Sequence, residues 1–170
     1  FELARIDGGA LRLRLEQTVI DDVVAAAVVG AMPSAEHAKV AVSFQPGPPG
    51  TTLNADPQRL TRVLANLLQN AIRHTPPDGS VTVSTNATDA EVLVTVADTG
   101  GGIPPSEVAH VFERFYRVDK SRSRVAGGSG LGLSISRGII EAHGGRIWID
   151  ETGSTGTRVM FALPVGAGDS

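Results

Sequence analysis

The sequence predicts an α+β fold: a two-layer sandwich with helices over one face of a mixed, mostly antiparallel sheet. Three observations predict it. Helical apolar patterns and alternating strand patterns interleave along the 170 residues. Two pairs of alternating runs, 80–88 with 91–98 and RIWIDE with TRVMFALP, read as antiparallel hairpins. A parallel, doubly wound fold would not use two such tight hairpins. The length fits one domain.

The elements follow in order. FELARIDGG opens as the tail of a helix broken at Gly8-Gly9, and LRLRLE alternates apolar and charged residues as a short half-buried strand. Asp21 and Asp22 are placed to cap a helix over Val23–Val29, which Pro33 ends. KVAVSFQ (39–45) is strand-like, QPGPPG is a turn-rich loop, and TTLN (51–54) is a short strand. Asp56 and Pro57 open the next helix as N-cap and first-turn proline. Its apolar positions Leu60, Val63, Leu64, Leu67, Leu68, Ala71 and Ile72 keep helical spacing up to the turn TPPDG. After the first hairpin, 104–115 reads as a helix and 118–129 as a charged, then glycine-rich loop. Leu131–Ala142 is a helix closed by Gly144-Gly145, with the second hairpin following.

Bulk properties remove several function classes. The formal net charge is −3 and the pI about 5.8, so a nucleic-acid binder with its basic excess is not expected. There is no cysteine, hence no disulfide and no thiolate metal site. The four histidines lack metal-ligand spacing. His143, just before a helix-ending Gly-Gly, fits the negative end of a helix dipole. Trp148, in an alternating strand, fits the core or a partner face.

Three stretches can carry chemistry. In NLLQNAIRHT, Asn66 and Asn70 are one turn apart and share a helix face with Arg73 and His74 beyond them. Such a face serves either buried side-chain hydrogen bonds or a carboxamide oxygen on a hard cation, beside a guanidinium on phosphate. In VADTGGGIPP, a strand ends in Asp98, followed by Gly100 and Gly102. This is either a turn or a carboxylate accepting a base's amino hydrogen, with glycines letting the backbone approach the ligand. In AGGSGLGLSI, Gly128, Gly130 and Gly132 run into a helix N-terminus, whose free N–H groups favour an anion. A dinucleotide fingerprint would need a strand immediately before it, and a charged loop stands there instead.

The order of these motifs, with FERFYRVDKSRS before the glycine-rich run, resembles the ATP-binding domain of two-component sensor histidine kinases. That family lies within the superfamily of gyrase, the mismatch-repair ATPase and the ninety-kilodalton heat-shock chaperone, whose fold is of the Bergerat type. The resemblance runs from about Leu13 to Leu163. It implies that ATP and Mg²⁺ are the cofactors and that Asn70 is the magnesium ligand. Asn66 then sits where many relatives carry an acid, and an amide there favours transfer to histidine over water activation. Arg73 contacts phosphate and His74 flanks the nucleotide. Asp98 binds the adenine amino group, with Gly100, Gly102 and Ile103 lining the pocket. Arg114 and Arg117 lie near a mobile lid, Arg117 on the γ-phosphate. Gly128, Gly130 and Gly132 form the phosphate-facing loop, with Leu131 and Leu133 packing beneath. The catalytic set is then Asn66, Asn70, Arg73 and Arg117.

None of the four histidines has the setting of a phosphoacceptor. The resemblance therefore implies a partner histidine on an upstream dimerisation domain and a response regulator beyond it. On this reading 1–10 is the end of the dimerisation helix and linker, 11–165 the catalytic domain and 166–170 a loose tail. The fragment is expected to be monomeric and cytoplasmic, its parent a membrane-anchored homodimer. The alternative is an ATPase module of the same superfamily, or a nucleotide-sensing domain without turnover.

Overall fold

The structure, a computed structural model, describes residues 11–101, 111–113, 132–150 and 156–165. Strand β1 (Glu16–Val19) leads directly into helix α1 (Ile20–Ala38), followed by β2 (Ala41–Gln45) and β3 (Thr52–Ala55). Helix α2 (Pro57–His74) precedes the hairpin of β4 (Ser80–Ala87) and β5 (Glu91–Asp98). Helix α3 (Gly132–Ala142) then leads to β6 (Arg146–Asp150) and β7 (Arg158–Pro164). The main sheet has the order β2-β4-β5-β7-β6, with β2 parallel to β4 and every other pair antiparallel, as the hairpin patterns predict.

The three helices of the described residues lie on one face of this sheet. Period-two alternation sends Val81, Val83, Val92, Val94, Val96, Phe161 and Leu163 toward the helices, where each is buried. Helix α2 is central, packed between α1 and α3, and its stripe Leu60, Val63, Leu64, Leu67, Leu68, Ala71, Ile72 is buried throughout. Trp148 is half-buried on the edge strand β6, opposite Met160, with the Arg146 guanidinium 5.0 Å from its ring centre.

Three local expectations are corrected. Helix α1 starts at Ile20 with no side-chain cap, so Asp21 and Asp22 lie inside its first turn, where they favour the dipole. Asp21 also accepts a 2.6 Å hydrogen bond from the Thr85 hydroxyl, tying α1 to β4. The helix runs through Pro33 to Ala38. An interior proline costs about 3 kcal/mol, but the buried stripe continues past it at Ala35. The carbonyl deprived of its partner is that of Val29, on the solvent side, where water can replace the lost bond. The strand read at LRLRLE begins only at Glu16. Its extent is set by β3, which pairs four residues from Glu16↔Ala55 to Val19↔Thr52 in a separate two-stranded sheet that the alternation did not reveal. The helix read at 104–115 and the loop at 118–129 lie almost entirely outside the described residues.

Candidate functional site

The polar face of α2 and the end of β5 meet at one edge of the sandwich. Asn66 and Asn70 are half-buried on α2, while Arg73 and His74 are exposed in its last turn. The Arg73 Nη1 donates to Asn70 Oδ1 at 3.2 Å, so the carboxamide oxygen is turned to the same side as the guanidinium. The helix ends at Thr75, whose buried hydroxyl donates to the Ala71 carbonyl. The turn that follows brings Gly79 against Thr75 and Thr99, so tightly that a Cβ at Gly79 would overlap both side chains. Ser80 N–H donates to the Thr99 hydroxyl and Thr99 N–H to the Ser80 carbonyl, locking the start of β4 to the exit of β5.

This closure places Gly100 directly on the His74 carbonyl. A methyl group at Gly100 would collide with that oxygen, so the absence of a side chain is a packing requirement. Asp98 stands beside it. Its Oδ1 accepts the Gly100 N–H at 2.9 Å and the Thr157 N–H at 3.2 Å, and its own N–H donates to the Thr157 carbonyl at 2.9 Å. Both hydrogen bonds to the carboxylate fall on Oδ1. Oδ2 takes none among the described residues. Burial raises the Asp98 pKa above the usual aspartate value, opposed by the two N–H donors and by the nearby His74. The result is a carboxylate held rigidly by one oxygen, with the other available as an acceptor.

Two contributors to this arrangement escaped the sequence reading. Thr157 supplies one of the two donors, and Gly156, at φ +94°, lies on the Asp98 carbonyl where any side chain would collide. The Gly156-Thr157 pair was available as a signal, since a glycine at the entrance of a predicted strand often marks close backbone approach. His143 also plays a different part from the one its sequence context suggested. It is half-buried, its Nε2 accepts the Asp56 N–H at 3.0 Å, and its Nδ1 lies 2.9 Å from the Ile139 carbonyl. That pairing requires Nδ1 to carry the proton and Nε2 to be bare, so the ring is neutral. Burial correspondingly lowers its pKa. His143 is thus a tie between the end of α3 and the N-cap of α2, not a cation at a helix dipole.

Of the remaining predicted residues, Gly132 is the first residue of α3 and Leu133 is half-buried against the core. Gly102, Ile103, Arg114, Arg117, Gly128, Gly130 and Leu131 lie outside the described residues. The structure therefore brings together Asn70, Arg73, His74, Asp98 and Gly100, with Asn66 one turn back along α2.

No group of three or more His, Cys, Asp or Glu side chains able to hold a metal occurs among the described residues. Magnesium does not need one: it is commonly held by one or two protein oxygens together with phosphate and water. The Asn70 carboxamide oxygen is of the right hardness and faces the right partner, an arginine suited to phosphate.

Residues 55–167 match the family described as histidine kinase-, DNA gyrase B- and HSP90-like ATPase. The sensor histidine kinase WalK of Bacillus subtilis is 46% identical over 111 residues, which cover 64% of this chain and 18% of that kinase. The chain thus corresponds to a small part of this curated relative. Among solved structures, the catalytic domain of histidine kinase ThkA is 27% identical with a TM-score of 0.80, covering 90% of this chain and 97% of that one. Full-length ShkA in complex with AMPPNP is 29% identical with a TM-score of 0.82, covering 96% of this chain and 34% of ShkA.

Proposed function

This chain belongs to the histidine kinase-, DNA gyrase B- and HSP90-like ATPase family, and on that premise we propose that it is the catalytic domain of a sensor histidine kinase. It binds ATP with Mg²⁺ and donates the γ-phosphoryl group to a histidine on an upstream dimerisation domain, which passes it to a response-regulator aspartate. In the parent protein that domain makes a homodimer, anchored in the membrane with this domain on the cytoplasmic side.

The observation that carries the reading is the half-satisfied carboxylate of Asp98. Oδ1 is fixed by Gly100 and Thr157, so Oδ2 is presented in one orientation to an exocyclic amino group. Gly100, pressed on the His74 carbonyl, holds the turn that carries Asp98 against the end of α2. From there α2 runs away with Arg73 and Asn70 on the side where a triphosphate would extend. Arg73, which donates to the Asn70 oxygen, would neutralise phosphate charge, and Asn70 would hold the cation through that oxygen. Bound magnesium would offset charge on the β- and γ-phosphate oxygens. By the resemblance, Gly128 and Gly130, in the sequence ahead of α3, would offer backbone N–H groups to phosphate and Arg117 would meet the γ-phosphate. Little covalent chemistry is asked of these residues: they align the phosphoryl group and exclude water. Asn66, an amide where a carboxylate would activate water, supports transfer over hydrolysis.

The test is transfer in trans. The chain is mixed with a separately produced dimerisation domain of a kinase of this family carrying its acceptor histidine, and with γ-labelled ATP and Mg²⁺. Acid-labile label on the added domain, lost when its histidine is changed or when Asn70→Ala replaces the wild type, is the expected result. Nucleotide binding without transfer to any such domain, with steady phosphate release instead, would make the chain an ATPase module.

A further inference from the structure

At the opposite end of α2 from Asn70 lies a second, differently built cleft. It measures about 740 Å³ and is lined by Arg12, Leu13, Arg14, Asp56, Gln58, Arg59 and Arg62. Asn70 is fourteen positions beyond Asp56, roughly 20 Å along a helix rising 1.5 Å per residue. The cleft is therefore separate from the site at Asp98.

Its charge is unusual for this chain. Its described residues carry four guanidinium groups and one carboxylate, whereas the whole chain has a net charge of −3. The carboxylate is already committed. Asp56 is buried, its Oδ1 accepts the Arg59 N–H at 3.1 Å as helix cap, and its Oδ2 accepts the Arg14 N–H at 2.8 Å. It also lies 4.0 Å from the Arg59 Nε, and Arg59, half-buried, is itself engaged. The arginines come in two rows. Arg12 and Arg14 stand in the stretch ahead of β1, and Arg59 and Arg62 are one turn apart on the first half of α2. Arg12, Arg14 and Arg62 are exposed. The Arg14 backbone bond to Asp56, and the His143 bond to the Asp56 N–H behind it, hold the two rows in fixed relation.

We propose that this cleft is a docking site for an acidic protein segment. Planar donors on both sides of a cleft suit carboxylates spaced along a peptide, which the exposed guanidinium groups of Arg12, Arg14 and Arg62 can grip through two N–H groups each. The volume is that of a site for several residues rather than for one small anion. Leu13 and the arginine stems give the segment's backbone an aliphatic wall. Nucleic acid is the poorer fit, because none of the described lining residues is aromatic and could stack on a base.

Fluorescence anisotropy of a labelled decapeptide alternating glutamate and serine tests the proposal on the whole chain. The expected result is binding that weakens as salt is raised and falls about tenfold in the double variant Arg12→Gln/Arg62→Gln. The variant should keep the wild-type melting temperature and ADP affinity, since neither arginine touches the Asp98 site. Undiminished peptide binding by the folded double variant overturns the proposal, and so does absence of binding by the wild type. Tighter binding of hexathymidylate than of the peptide would make the cleft a nucleic-acid contact. Full displacement by inorganic phosphate at matched charge would reduce it to a simple anion site.

Discussion

Replacing Asp98 by asparagine separates what this residue does for the fold from what it does for a ligand. In the structure Oδ1 accepts two backbone N–H groups, from Gly100 and Thr157. The asparagine carbonyl oxygen can take the same position and keep both bonds. Charged hydrogen bonds become neutral ones, a loss of about 1 kcal/mol each at most. Against this stands the cost of burying the charge, which raises the Asp98 pKa. The sign matters. A carboxyl whose folded pKa lies above its unfolded value opposes folding when ionised, so at neutral pH removing the charge returns stability. The two effects oppose each other, and the unfolding free energy should change by no more than about 1 kcal/mol. At Oδ2 the change is one-sided: an acceptor becomes an NH₂ donor, which would face the amino group of adenine in the proposed complex. Losing a hydrogen bond to a charged group costs about 1.5–3 kcal/mol, so ADP should bind roughly ten- to a hundredfold more weakly. Urea denaturation and calorimetric titration with ADP, run on the same preparations, read the two quantities. A folded Asp98→Asn protein binding ADP like the wild type would refute the reasoning. So would a protein unfolded by this substitution, because Oδ1 would then be doing more than the two bonds described.

Other outcomes follow from single contacts. His143 is neutral in the fold with a lowered pKa, so the unfolded chain takes up its proton first as pH falls below about 6.5. Stability should therefore drop on acidification through that range, and the melting temperature of His143→Gln should depend less on pH there than that of the wild type. Asp56→Ala removes the cap of α2 and the acceptor for Arg14 N–H together. Chemical denaturation should show a loss of about 1–3 kcal/mol. Gly156→Ala meets both a positive φ and the Asp98 carbonyl. It should cost about 1–3 kcal/mol and weaken ADP binding as well, by moving the Thr157 donor. Leu64→Ala, at a fully buried position, should cost about 2–5 kcal/mol by the same denaturation, with ADP affinity retained in the folded fraction.

Most of the architecture was legible because it rests on local periodicity. The stripe of α2 and the alternation of β4, β5 and β7 have unambiguous periods, and each maps onto buried residues. The capping of α2 by Asp56, with Pro57 in its first turn, was equally local. Where tertiary packing overrode a local signal, the reading failed. Pro33 is a helix breaker in isolation, yet α1 passes through it because burial continues at Ala35 and the unpaired carbonyl faces water. The strand β1 falls on EQTV, not LRLRLE, because its partner β3 is elsewhere in the sequence.

The amino-acid sequence by itself supplied the residues proposed here to bind a nucleotide and their order: Asn70, Arg73, Asp98, Gly100 and the glycines ahead of α3. It did so because each motif is short and its elements are self-announcing. Only the tertiary structure decided what holds Asp98 in place and what His143 does. Thr157 lies 59 residues from Asp98 and His143 lies 87 from Asp56. Such bonds form only after β7 has paired with β5 and α3 has docked beside α2, since no local pattern brings these groups within hydrogen-bond reach. The same long-range closure sets the arginines ahead of β1 beside those of α2, and so creates a cleft whose sign is opposite to that of the chain as a whole.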